Sequence, residues 1–157
     1  MKIIKYKETD IKEIVSLFYE TVHSVNSKDY SQLELDAWAP KDEKEFKMKS
    51  WQQTLEENIT FVAKINNKIV GFSDITHNGY LDRLYVHKDY QGKGIATALV
   101  DILEVEAKKI NLLEIDTEAS ITAKPFFEQR GYKIVCSQTV ERKGVKLTNF
   151  KMKKRIK

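Results

Sequence analysis

The stretch "YQGKGIATALV", Tyr90 to Val100, sets Gly92 and Gly94 directly before a run with helical apolar spacing. The first N–H groups of a helix lack internal partners, and the helix dipole adds positive potential there. Phosphate is the natural ligand of such an end. The chain has only 6 glycines in 157 residues, and each costs backbone entropy. Two of them at one helix mouth imply a backbone that must stay bare. The segment offers the amides of Gly92, Lys93, Gly94, Ile95 and Ala96, the Thr97 hydroxyl and the Lys93 cation, which together read as a pyrophosphate cradle. Two other phosphate loops are excluded by spelling: GxxxxGK[ST] is absent, and so is GxGxxG with an acidic residue about 20 positions on. Counted from Gln91 the pattern is Q-x-x-G-x-A. On these residues alone, an ordinary strand-to-helix turn is the alternative.

The elements that must position this turn follow from periodicity. "KIIKYK" predicts an opening strand, and Ile11, Ile14, Val15, Phe18, Val22 and Val25 predict a helix capped by Thr9. "YSQLELDAWAP" predicts a short helix capped by Ser31 and stopped before Pro40. "DEKEFKMKSWQQTLEEN" predicts a third, more exposed helix. From Ile59 the pattern turns to strands: "ITFVAKI" and "KIVGFSDIT" flank Asn66-Asn67, a two-residue hairpin turn, and "YLDRLYV" follows. Ile95, Ala98, Leu99, Ile102, Leu103 and Ile110 mark a long amphipathic helix. "LLEIDTEA" is a strand, and "AKPFFEQR" a helix closed by Gly131. "YKIVCSQTV" and "VKLTNFKM" form a final hairpin turning at Lys143-Gly144. In the last strand Val145 and Leu147 share one parity, and Phe150 and Met152 the other. That requires either a bulge or two covered faces. The order predicts an α/β fold: a mixed, mostly antiparallel twisted sheet with a central βαβ crossover through the glycine turn and flanking helices.

Length suits one domain. No apolar run approaches the roughly 20 residues of a membrane span, and "MKIIKYKETD" has no secretory h-region. The lone Cys136 excludes an internal disulfide and a cysteine-rich zinc site, and suits a reducing, cytoplasmic setting. His23, His77 and His87 show no metal-ligand spacing. Net charge is +4, and the basic tail "KMKKRIK" reads as a solvated terminus. Nucleic acid is therefore not an expected partner, nor is a membrane.

"LDRLYVHKDYQGKGIATALVDIL" resembles the cofactor segment of the GNAT N-acetyltransferase superfamily, with Leu84, Tyr85, Val86, Gln91, Gly94 and Ala96 matching its pattern. Downstream, "ASITAKPFFEQRGYKIV" resembles the family's second motif, with Ser120, Ala123, Phe126, Phe127, Gly131 and Tyr132 in its places. "YSQLELDAWA" and "ASITAKPFFEQRGY" look more narrowly like the YafP-like subgroup. The resemblance implies one acyl-CoA N-acyltransferase domain over residues 1–157, with an acceptor-side helical part at 1–58 and a CoA-binding core at 59–157. It implies acetyl transfer from acetyl-CoA, without a metal, to a primary amine of a small molecule or peptide, by direct attack in a ternary complex. A non-catalytic CoA-binding or interaction module is the alternative. A homodimer is left open.

By this resemblance Gly92 to Thr97 bind the pyrophosphate, and Leu84, Tyr85 and Val86 pair with the pantetheine arm as an added strand. A strand bulge opens a gap in which a main-chain N–H polarises the acetyl carbonyl. An alkylamine with a pKa of about 10.4 is mostly protonated at pH 7, which costs about 4.6 kcal/mol. A base therefore matters for such substrates. Asp74, His77, Tyr80 and Asp82 are the candidates. Asp82 is favoured, two residues from Tyr80 on one strand face, with an ion-pair partner as its plain alternative. His77 reads better as a turn residue. Family members often hold a tyrosine acid where this chain has Phe127, so that role cannot be carried over, although Phe127 can still pack against the CoA arm. Tyr85, Tyr132 and Cys136 are the candidate substitutes, with core packing as the plain alternative for each. Ser120 stands for the family's asparagine, with helix capping as its alternative. His23, Tyr30 and Trp38 are expected to line the acceptor pocket.

Overall fold

The structure, a computed structural model, describes residues 1–157. Strand β1 (Lys2–Lys5) leads to helices α1 (Ile11–Ser24), α2 (Gln32–Trp38) and α3 (Lys44–Glu57). A meander follows: β2 (Ile59–Ile65), β3 (Lys68–Ile75) and β4 (Tyr80–Val86). Helix α4 (Ile95–Lys109) crosses to β5 (Glu114–Ser120). Helix α5 (Lys124–Gln129) and the hairpin β6 (Lys133–Arg142) and β7 (Val145–Arg155) complete the chain. One seven-stranded sheet runs β1-β2-β3-β4-β5-β7-β6, antiparallel at every step except β4–β5. The expected mixed sheet with its βαβ crossover is therefore present.

Local chemistry explains the turns. Asn66 (φ 51°) and Asn67 (φ 63°) take the left-handed pair that a tight hairpin needs, as do Lys143 (φ 49°) and Gly144 (φ 77°). Ser31 caps α2 by accepting from the Glu34 amide at 3.2 Å, and Glu34 accepts from the Ser31 amide at 2.8 Å. Thr9 does not cap α1. A 3₁₀ turn over Glu8–Asp10 precedes that helix, and the Asp10 carboxylate takes the Lys7 amide at 3.0 Å.

Both sheet faces are covered. Leu99, Leu103 and Phe127 from α4 and α5 pack with Leu81, Ile115 and Met152 on one face. Ile14, Phe18, Leu35 and Leu55 from α1 to α3 pack with Val62, Phe72 and Leu147 on the other. Leu147 and Met152 thus serve opposite cores, which accounts for their parity. The paired register is broken on β6, at Val135, and not on β7. The basic tail is not a free terminus. Lys151 to Lys153 pair with both β5 and β6, Lys154 and Arg155 pair with β5, and Met152 is fully buried.

A bulge shapes β4. Asp74 pairs Arg83 and Ile75 pairs Leu81, so Asp82 is the extra residue. It resets the alternation: Leu81 faces the α4 core, yet Arg83 and Tyr85 face Trp51 and Phe18 on the α1–α3 side. On the far side of β4 only two rungs join it to β5, Tyr80–Asp116 and Leu81–Thr117. Beyond them the strands part.

Candidate active site

The glycine turn sits at the end of β4 where the strands have parted. Gly92 (φ 72°) and Gly94 (φ 79°) both adopt the left-handed region, and Gly94 is the N-cap of α4. A Cβ at either would meet nothing within 4 Å. The glycines are therefore required by conformation, and the space over them is open. The first helical bond runs from the Ala98 amide to the Gly94 carbonyl at 3.0 Å. No backbone carbonyl accepts from the amides of Gly92 through Thr97. Six consecutive donors thus face outward at a helix N-terminus, which is what an oxyanion group such as pyrophosphate requires. The Gln91 amide nitrogen donates to the Val86 carbonyl at 2.6 Å and ties the turn to the strand end.

A cleft of about 310 Å³ runs from this turn along β4. Leu84, Tyr85, Val86, Gln91 and the Gly92, Gly94, Ile95, Ala96 and Thr97 stretch line it on one side, and Ser120 and Phe127 on the other. Lys93 is not among the lining residues, and its ammonium lies 5.8 Å from the ring centre of Tyr90, which does line the cleft. The His87 amide donates to Val70 at 2.8 Å, and antiparallel bonds alternate. Leu84 and Val86 therefore turn their amides away from β3, into the gap. That is a free strand edge lying beside the cleft. Phe127 is buried and packs edge-on to Tyr132 at 5.1 Å. The Ser120 hydroxyl accepts from the Ala123 amide at 3.0 Å, so it does cap the turn into α5 while lining the cleft.

A second cavity of about 400 Å³ adjoins the first. Trp38, Asp82, Tyr85, Glu118 and Ser120 line both. Of the residues expected on the acceptor side, Tyr30 and Trp38 line this cavity. The Tyr30 hydroxyl is already engaged, donating to Thr148 at 2.6 Å and accepting from the Ile121 amide at 3.0 Å. His23 lines neither cavity. Its Nε2 meets the Ala39 carbonyl at 2.8 Å, so the ring straps α1 to the end of α2.

The base candidates separate cleanly. Asp74 is fully buried away from both cavities, held by Arg83 and by the Asn58 amide at 2.9 Å. Burial pushes its carboxyl up to about 6, against the pull of Arg83 and Asn58. His77 lies in the β3–β4 turn, its Nε2 3.1 Å from the Glu57 carbonyl. Tyr80 lines the second cavity only. Burial, then the charges of Glu118, Asp82 and Asp116, raise its phenol above the ordinary range, so at neutral pH it stands as a hydrogen-bond donor. Asp82 lines both cavities, about one third of its side chain exposed, 3.3 Å from an Arg83 nitrogen. Among the thiolate-acid candidates, Tyr132 donates to Glu104 at 3.0 Å in the α4 core, and Cys136 lies exposed on β6. Only Tyr85 lines the cleft, and burial keeps its phenol protonated.

Glu118 was not among the residues expected to act. Its signal is the alternation of acidic residues in "EIDTEAS" (Glu114, Asp116, Glu118), which marks one strand face but not which member meets a cavity.

Comparison with known proteins agrees with this geometry. Residues 26–154 match the acetyltransferase (GNAT) domain family. The chain is 36% identical over 154 residues to the uncharacterized N-acetyltransferase YafP of Escherichia coli K12, covering 98% of this chain and 95% of that protein. A GCN5-related N-acetyltransferase structure from Rhodopseudomonas palustris superimposes with a TM-score of 0.92 at 29% identity, covering 98% of this chain and 94% of that one. PaiA N-acetyltransferase from Thermoplasma acidophilum, solved with coenzyme A, shares the fold at a TM-score of 0.78 and 18% identity, over 98% of both chains. With the family match across most of its length and a near full-length relative, the chain belongs to the GNAT acetyltransferase family.

Proposed function

We propose that this protein is an N-acetyltransferase that moves the acetyl group of acetyl-CoA to a primary amine of a small molecule or peptide, by direct attack in a ternary complex. The observation that carries this reading is the common wall of the two cavities at Trp38, Asp82, Tyr85, Glu118 and Ser120. One cavity ends in six unpartnered amides, and the other is walled by aromatic and charged side chains. A thioester and an amine entering from the two sides meet where β4 and β5 part. The PaiA structure holds coenzyme A on this same fold.

In this arrangement the Gly92–Thr97 amides hold the pyrophosphate. The outward amides of Leu84 and Val86 pair the pantetheine arm, and a main-chain N–H of this edge polarises the carbonyl. The amine nitrogen attacks the carbonyl carbon, a C–N bond forms and the C–S bond breaks. Asp82 takes the amine proton directly or through water, and Tyr85 gives a proton to the departing thiolate. Glu118 adds negative charge that favours the incoming ammonium. No helix is long and apolar enough to cross a membrane, and the free thiol of Cys136 suits a reducing compartment. We therefore place the protein in the cytoplasm.

The test is thiol release from acetyl-CoA with a panel of aminoglycosides, polyamines, amino acids and peptide N-termini. Release with at least one class is expected. Silence across the panel with acetyl-CoA binding retained would replace this reading with a non-catalytic CoA-binding module.

A further inference from the structure

Building on the transfer reading above, we propose that the acceptor amine carries an anionic group on the same molecule, a carboxylate or a phosphate, received by Lys47 and Arg142 in the second cavity while the amine meets Asp82 and Glu118. The charges that line this cavity are divided in this way. Asp82 and Glu118 belong to the wall shared with the cleft. Lys47, Arg83, Arg142 and Lys143 line only the unshared part, with a single carboxylate, Glu43, among them.

Two of those cations are spoken for. Lys143 pairs with Glu43, and Arg83 pairs with Asp74 and Asp82. Lys47 and Arg142 have no carboxylate partner. Arg142 donates only to the carbonyl of its neighbour Glu141, at 3.1 Å. The Lys47 ammonium lies 5.1 Å from the Trp51 ring centre, and the Arg83 guanidinium lies 4.4 Å from the same ring. Two cations therefore crowd one indole, with Lys47 also 5.0 Å from the Phe18 ring centre.

Lys47 is half-buried, and burial lowers its pKa, with the charges of Arg83 and Arg142 adding to the effect and Glu43 opposing it. Lys47 and Arg142 lack a counter-ion of their own, and their mutual repulsion is relieved when an anion enters. A polycation such as a polyamine would add repulsion at that end, which is specificity by exclusion. Phe18, Trp38, Trp51 and Tyr80 line the same cavity and offer an apolar surface for the body of the acceptor.

The test uses three probes with similar amines: para-(aminomethyl)benzoate, para-(aminomethyl)phenyl phosphate and the neutral para-(aminomethyl)benzamide. Thiol release from acetyl-CoA is measured on the full chain. At least one anionic probe should exceed the benzamide in kcat/KM by about tenfold or more, and its identity separates carboxylate from phosphate. Lys47→Gln combined with Arg142→Gln should bring that ratio close to one. The ratio is internal to each preparation, so loss of folded protein does not move it. If no probe is turned over, the same comparison is made with the probes as inhibitors of whichever amine does release thiol. A neutral probe equal to or better than both anions overturns the inference, as does a preference that survives both substitutions. Failure of the transfer reading is distinct: no amine of any kind releases thiol, and this inference falls with it.

Discussion

Asp82 and Glu118 are the first residues past the last rung that joins β4 to β5, and both line both cavities. The fork they stand in exists because Asp82 is a bulge and Thr117 holds the Leu81 carbonyl, at 2.8 Å, just before the strands part. Negative charge is thus fixed on the wall that the two cavities share.

Asp82→Asn should lower kcat/KM for an alkylamine at pH 7 by about 10²-fold, the low end of general-base effects. The deficit should shrink as pH rises toward the amine's own pKa of about 10.4, because the free base then exists without help. Glu118→Gln should cost less and act mainly on KM. Rate–pH profiles of both variants check this. A loss that is the same at pH 7 and pH 10 would remove Asp82 as the base.

Gly94→Val should raise the KM for acetyl-CoA by about tenfold or more. Gly94 has φ 79°, a conformation that a β-branched residue resists, and its side chain would fill the open space over the amides. The strain should cost stability on the order of 1–2 kcal/mol. Steady-state kinetics and a thermal melt on one preparation separate the two effects. An unchanged KM would remove the cradle.

If Tyr85 is the proposed acid, Tyr85→Phe should lower kcat by about 10²-fold and leave the KM for acetyl-CoA little changed, since Tyr85 lines the cleft and burial raises its pKa. Phe127→Tyr in that background should restore part of the rate, because Phe127 lines the same cleft. Wild-type rates in Tyr85→Phe would show that the thiolate leaves without a protein acid.

Asp74 gives a pH signature of stability. Its folded pKa, about 6, lies above the ordinary carboxylate value of 3.8. The folded state therefore binds the proton more tightly than the unfolded one. This group's contribution is fully present below pH 3.8 and is lost as pH rises through about 6. Asp74→Asn lacks that titration. The melting temperature of wild type relative to Asp74→Asn should be higher at pH 5 than at pH 8, and a difference that does not change with pH would contradict the assignment.

The elements were legible where local chemistry decides them. Asn66-Asn67, the Ser31 cap, Gly131 and the glycine turn each act within a few residues, and each stands where spacing put it. The site was legible where it coincides with that turn. What escaped is non-local. Glu118 meets Asp82 only because β4 and β5 pair for two rungs and then separate, and Arg142 reaches the second cavity from a hairpin some sixty residues downstream. His23 looked like a pocket residue because its neighbours are polar, yet the Ala39 carbonyl claims it. Thr9 lost its capping place to Asp10 one residue later.

In the proposed complex, acetyl-CoA lies in the β4–β5 cleft with its reactive end at the wall both cavities share. A crystal structure of the protein with acetyl-CoA tests it most directly. The pyrophosphate should sit on the Gly92–Thr97 amides, the pantetheine along Leu84 and Val86, and the thioester beside Asp82. A cofactor bound elsewhere, or one whose acetyl group points away from the Asp82–Glu118 wall, would overturn this placement.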